Sequence, residues 1–231
     1  MNAPALDRLQ SAAQTILPDW VAVAVSDPRE ASLPLLPAEE EAAITMVPKR
    51  RREFATGRAC ARRAMGDLGL DALPVPMGPD RAPIWPKGVR GSISHCESAC
   101  IAAVTLGDAL LGIDVEPYRP LKDDLIDLIC TDAERSSISA ALSVVPAVAA
   151  RVIFCAKEAV YKAQYPITKQ IINFNDLAVF SASPGIQFMA EFNRRVGQFP
   201  AGYRLGGSLF IDANFVLTGV VFPPKLPLRH S

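Results

Sequence analysis

Hydrophobic positions along this chain follow two periods that take turns. At 48–68, Phe54, Ala61, Met65 and Leu68 recur on one side of a helix at a spacing of about 3.6 residues, with Pro48 at its start. A second helix is predicted to open at Pro146 and to carry Lys157, Glu158 and Lys162. Pro37 followed by Glu39, Glu40 and Glu41 suits a helix first turn, with acids at the positive end of the dipole. Thr131-Asp132-Ala133-Glu134 is a capping-box start, and 5–17 has a weaker helical pattern. Short apolar runs with strand character lie at 20–25, 92–94, 99–106, 110–116, 177–180, 186–192, 208–211 and 215–222. Gly107-Asp108 reads as a hairpin turn between two of them. Pro74, Pro76, Pro79, Pro83 and Pro86 make 70–90 an ordered loop, and the tail from Pro223 reads as irregular.

The order is helix, loop and antiparallel strands, then the same again. It predicts an α+β fold of two pseudo-symmetric halves, 1–111 and 112–231, with a ligand cleft at their junction. Half of the 231 residues are hydrophobic and 21% are charged, which supports a sizeable core and argues against disorder. Zero net charge removes any whole-molecule argument for nucleic acid or an anionic membrane. No apolar run reaches the roughly 20 residues of a membrane span. No basic stretch followed by an apolar core opens the sequence, so a cytoplasmic chain is expected. Five cysteines without a Cys-x-x-Cys pair fit free thiols rather than structural zinc.

Two stretches carry the chemistry. In Leu111-Gly112-Ile113-Asp114-Val115-Glu116 the acids leave one face of a strand, roughly 6–7 Å apart. In Phe154-Cys155-Ala156-Lys157-Glu158-Ala159-Val160-Tyr161-Lys162, Glu158 and Lys162 share a helix face. Packed together, three carboxylates and an ammonium would suit a hard divalent cation and a phosphate ester. Either stretch alone reads equally well as a solvated strand end or a surface helix pair. Arg51, Arg58 and Arg62 fall within an arc of about 40°. That stripe is either a solvated face or an anion trap, since guanidinium groups bind phosphate bidentately. Arg81 and Lys87 add cations before Gly91-Ser92-Ile93-Ser94-His95. That run is not a nucleophile elbow, because His95 stands where the last glycine would be.

With these residues assembled, the chain resembles the phosphopantetheinyl transferase superfamily, particularly its enterobactin-synthesis branch. The two stretches above are similar to the superfamily's signatures. Gly57-Arg58-Ala59-Cys60-Ala61-Arg62, Arg81-Ala82-Pro83-Ile84-Trp85-Pro86 and Gly91-Ser92-Ile93-Ser94-His95-Cys96 are similar to blocks of the branch. The resemblance implies two similar α+β halves and transfer of the phosphopantetheine arm of coenzyme A to a serine of an acyl or peptidyl carrier protein. It implies Mg²⁺, or Mn²⁺ in its place, held by Asp114, Glu116 and Glu158. Glu158 would be the general base, and Lys162 would stabilise phosphate charge or protonate the leaving group. Arg51, Arg58, Arg81, Ser94 and His95, with Arg62 and Lys157 as further candidates, would contact the nucleotide phosphates. A monomer is also implied. The alternatives are a non-catalytic coenzyme A or nucleotide-binding protein of the same fold, and an unrelated metal-dependent phosphoesterase.

Overall fold

The computed structural model describes residues 3–30, 34–183 and 186–222. Helix α1 (Ala3–Ile16) is followed by β1 (Ala22–Ser26), α2 (Pro37–Ala43), α3 (Pro48–Asp67), β2 (Val89–His95) and β3 (Cys100–Leu106). Next come β4 (Leu110–Pro117), α4 (Asp123–Ile129), α5 (Asp132–Leu142), α6 (Pro146–Thr168), and β5 (Leu177–Ser183), β6 (Gln187–Phe192), β7 (Arg204–Ile211) and β8 (Phe215–Phe222). The strands form two antiparallel sheets, one of three in the order β1-β3-β2 and one of five in the order β4-β8-β7-β6-β5. The fold is α+β in two unequal halves. Helix α3 packs on the smaller sheet through Cys60, Ala61, Ala64 and Met65, and α6 on the larger through Val152, Ala156, Ala159 and Val160.

The strands predicted at 92–94 and 208–211 run longer, to Val89–His95 and Arg204–Ile211. In β7 the pair Gly206-Gly207 breaks the apolar alternation, and a Cβ on Gly207 would stand 2.2 Å from the Phe188 ring. The irregular tail expected from Pro223 lies outside the described residues.

Gly107-Asp108 does not close a β3–β4 hairpin. The turn chemistry is present, with Gly107 at φ +86°, but β3 pairs with β1 and β2 while β4 pairs with β8. The chain changes sheet at this turn: the face of β4 with Gly112, Asp114 and Glu116 turns to α6 and the cleft, while Leu111, Ile113 and Val115 on the other face join the apolar cluster that includes α1. Alongside β4 lies β2, joined to it through serine side chains. Ser92 Oγ accepts from Ile113 N–H at 3.0 Å, and Ser94 Oγ from Val115 N–H at 3.3 Å. Leu9 and Ala13 of α1 pack with Val23, Ile101, Ile113 and Leu217, so one apolar cluster runs through both sheets.

Two buried ion pairs brace the halves. Glu39 accepts from Arg62 at 2.5 Å, Leu36 N–H at 2.9 Å and Val75 N–H at 2.9 Å, which ties α2, α3 and the following loop together. Glu134 forms the predicted capping box with Thr131 and accepts from Val179 N–H at 2.9 Å and Lys157 Nζ at 2.8 Å. Lys157 also donates to Ile129 O and Phe174 O, at 2.8 and 3.0 Å. Removing one partner of such a pair leaves a buried charge uncompensated. Lys157→Met is therefore expected to lower unfolding stability by about 3 kcal/mol, measured by urea denaturation. The five cysteines are free thiols, four of them buried.

Candidate active site

A cleft of about 670 Å³ opens between the halves and is lined by β2, β4, the 80–85 loop and α6. Asp114, Glu116, Glu158 and Lys162 all face into it. Strand β4 delivers the two acids and α6 delivers Glu158 and Lys162, because β4 lies directly on α6. The fit is set by Gly112, where a Cβ would stand 1.9 Å from Ala159 O and 2.8 Å from Ala163 N.

Asp114 is the hub. Its Oδ1 accepts from Lys162 Nζ at 2.6 Å and from Ser94 Oγ at 2.6 Å, one donor from each half. Its Oδ2 is buried with no hydrogen-bond partner. Glu116 is held by Arg151 at 2.7 Å. Burial, then the neighbouring Asp114 charge, pushes the Glu116 carboxyl up to about 7 against the pull of Arg151. Burial also raises Glu158. Lys162 works the other way: burial lowers it, but Asp114 and Glu158 hold it above its ordinary value.

Across the cleft stand cations. Arg58, almost fully buried, lies 3.8 Å over the Phe54 ring and donates to Val75 O at 3.0 Å. Burial lowers its guanidinium to about 10. His95 contacts Arg50 and is itself lowered, first by burial and then by that guanidinium. Arg81 and Arg90 line the same wall.

Three residues expected at the nucleotide phosphates lie elsewhere. Arg51 pairs with Glu40 at 2.7 Å, Arg62 is buried against Glu39, and Lys157 points to Glu134 on the far side of α6. None of them lines this cleft. Arg50, absent from the sequence-based set, does line it. Its signal was present: Arg50, Phe54 and Arg58 are spaced i, i+4, i+8 and share a helix face. The Arg151 clamp on Glu116 was likewise not anticipated.

Comparison with known proteins decides the family. Residues 38–105 match the family model of the 4'-phosphopantetheinyl transferase N-terminal domain, and 110–208 match that of the 4'-phosphopantetheinyl transferase superfamily. The 4'-phosphopantetheinyl transferase Svp of Streptomyces mobaraensis is 36% identical over 212 residues, covering 86% of each chain. PptT of Mycobacterium tuberculosis is 36% identical over 199 residues, 81% of this chain and 86% of that one. Enterobactin synthase component D of Salmonella typhimurium is 37% identical over 117 residues, 50% of this chain and 48% of the other. The chain belongs to the 4'-phosphopantetheinyl transferase superfamily. Transfer of phosphopantetheine to carrier proteins is accordingly its class of activity.

For a phosphopantetheinyl transferase the donor set in the cleft fits a hard divalent cation. Asp114 Oδ2 lacks a hydrogen-bond partner, and burial disfavours the ionised forms of Glu116 and Glu158, a cost that a bound cation would offset. Among the described residues no three His, Cys, Asp or Glu side chains stand close enough to cage a metal on their own. Lys162 and Arg151 sit on the oxygens instead. Magnesium suits such an open set, because it keeps water and phosphate oxygens among its six ligands. Among the described residues no single helix of this transferase is long and apolar enough to cross a membrane.

Proposed function

We propose that the enzyme moves the 4'-phosphopantetheine arm of coenzyme A onto a serine hydroxyl of an apo acyl or peptidyl carrier protein, with Mg²⁺, releasing adenosine 3',5'-bisphosphate. The observation that supports this most is one cleft lined on one side by Asp114, Glu116, Glu158 and Lys162 and on the other by Arg50, Arg58, Arg81 and His95. We take the halves as 1–111 and 112–231, a division that falls within β4, with the cleft at their junction. Phosphoryl transfer depends mainly on positioning and charge neutralisation, and both walls supply those.

Asp114, Glu116 and Glu158 would hold the cation, which would neutralise charge on the diphosphate when bound. Glu158, with its carboxyl raised by burial, is the group to take the serine proton. Lys162, kept charged by Asp114 and Glu158, faces the phosphate as its oxygens gain charge. Arg58, Arg81, Ser94 and His95, with Arg50 beside them, bind the nucleotide phosphates. Ser94 also orients Asp114 through its 2.6 Å hydrogen bond. That Asp114, Glu158 and Lys162 are all present in the cleft favours catalysis over a binding protein of the same fold.

The direct test incubates the protein with coenzyme A, Mg²⁺ and apo carriers from fatty-acid, polyketide and nonribosomal systems. The expected result is a carrier heavier by one phosphopantetheine arm in mass spectrometry. Unchanged mass across the whole panel overturns the proposal, and hydrolysis of coenzyme A without a carrier would point to a phosphoesterase. Arg58→Ala is expected to raise the KM for coenzyme A about tenfold and to leave kcat nearly unchanged, because it removes a charged contact made equally before and during transfer. Steady-state kinetics with a fixed carrier checks this.

A further inference from the structure

At the mouth of the cleft a single carboxylate ties one half to the other. The loop between α3 and β2 folds into a compact turn. Gly78 N–H donates to Ala82 O at 2.8 Å, Arg81 N–H to Gly78 O at 2.9 Å, and Ile84 N–H to Pro76 O at 2.9 Å. Asp80 Oδ1 stays inside this turn and accepts from Ala82 N–H at 3.1 Å. Asp80 Oδ2 reaches the opposite rim, where Tyr165 Oη donates at 3.0 Å and Lys169 Nζ at 3.3 Å.

Tyr165 lies in the last turn of α6, and Lys169 is the residue that caps it. The Lys169 ammonium stands 5.0 Å over the Tyr165 ring, and the Tyr161 and Tyr165 rings are 5.5 Å apart. Next to Asp80, Arg81 has φ +64°, the left-handed region that is costly for any residue with a Cβ. A backbone of that kind persists only where its surroundings fix it. Asp80, Arg81, Tyr165 and Lys169 all line the cleft.

We propose that Asp80, Tyr165 and Lys169 form a clasp across the cleft mouth that holds Arg81 in place against the nucleotide. They are positioning residues that act through Arg81, and this assignment rests on the coenzyme A reading above. The turn alone does not account for the geometry: Asp80 spends one oxygen on its own loop and the other on an element 85 residues away in sequence. Lys169 is largely exposed, so the ion pair is individually weak. A weak clasp is what a cleft that must admit and release a nucleotide requires.

The test uses the near-isosteric substitutions Asp80→Asn and Tyr165→Phe, with Arg81→Ala as the background. Each clasp variant is expected to raise the KM for coenzyme A about fivefold, with kcat at saturating coenzyme A within about twofold of wild type. Neither should add to the KM of Arg81→Ala. In the ligand-free protein, amide hydrogen exchange should quicken together at 78–84 and 167–170 in Asp80→Asn, with the thermal midpoint unchanged. Lys169→Met gives the same readout if either isostere fails to fold. Exchange unaltered in both segments, or a KM increase that persists in full without Arg81, overturns the clasp. A wild type that binds no coenzyme A overturns the functional reading and the role of Arg81 with it. The exchange result is then separate, because it needs no ligand.

Discussion

Glu158→Gln is expected to lose about a thousandfold in kcat for carrier modification while folding normally and still binding coenzyme A. Glutamine keeps the shape and one acceptor oxygen but cannot take a proton, and a positioned acid or base contributes typically 10²–10⁴-fold. Asp114→Ala is expected to lose at least as much, for a different reason. It strips Lys162 Nζ and Ser94 Oγ of the oxygen both now reach at 2.6 Å. The ammonium would then be free to pair with Glu158, the group proposed to take the serine proton. Single-turnover mass spectrometry at saturating coenzyme A separates the chemical step from binding in both variants. Wild-type kcat in Glu158→Gln would remove that residue from the mechanism.

Gly112→Ala is expected to destabilise the protein by about 3 kcal/mol and to impair the activity of whatever remains folded. The Cβ would meet Ala159 O at 1.9 Å and Ala163 N at 2.8 Å, both backbone atoms that cannot rotate away. Strand β4 and helix α6 would have to part. They carry Asp114 on one side and Glu158 with Lys162 on the other, so a shift of a few tenths of an ångström is felt by the site as well as the core. Thermal unfolding and carrier modification, measured on the same preparation, check both parts. A normal melting temperature in this variant would mean the contact is not as tight as described.

How much of this was legible in the sequence can be traced residue by residue. The strand with Asp114 and Glu116 and the helix with Glu158 and Lys162 were readable because period and length agreed with their residue types. The arginines of α3 were not separable. Arg51, Arg58 and Arg62 lie on nearly the same arc, but Glu39 and Glu40 of α2 take up two of them, and that is a tertiary fact no helical wheel contains. Lys157 adjoins Glu158 in sequence but projects about 100° away around the helix, toward Glu134. The turn at Gly107-Asp108 was legible as a turn, whereas its neighbouring strands choose partners by which faces they can bury. The Asp80 clasp was out of reach, since nothing in a proline-rich loop announces a tyrosine 85 positions later.

The shared cluster of α1, Val23, Ile101, Ile113 and Leu217 also has a bearing on how the gene product can be cut. Scission between Leu106 and Leu110 would strand oily surface on both fragments and separate Ser94 from Asp114. Neither piece would be a miniature enzyme. Only a reassembled pair could regain turnover.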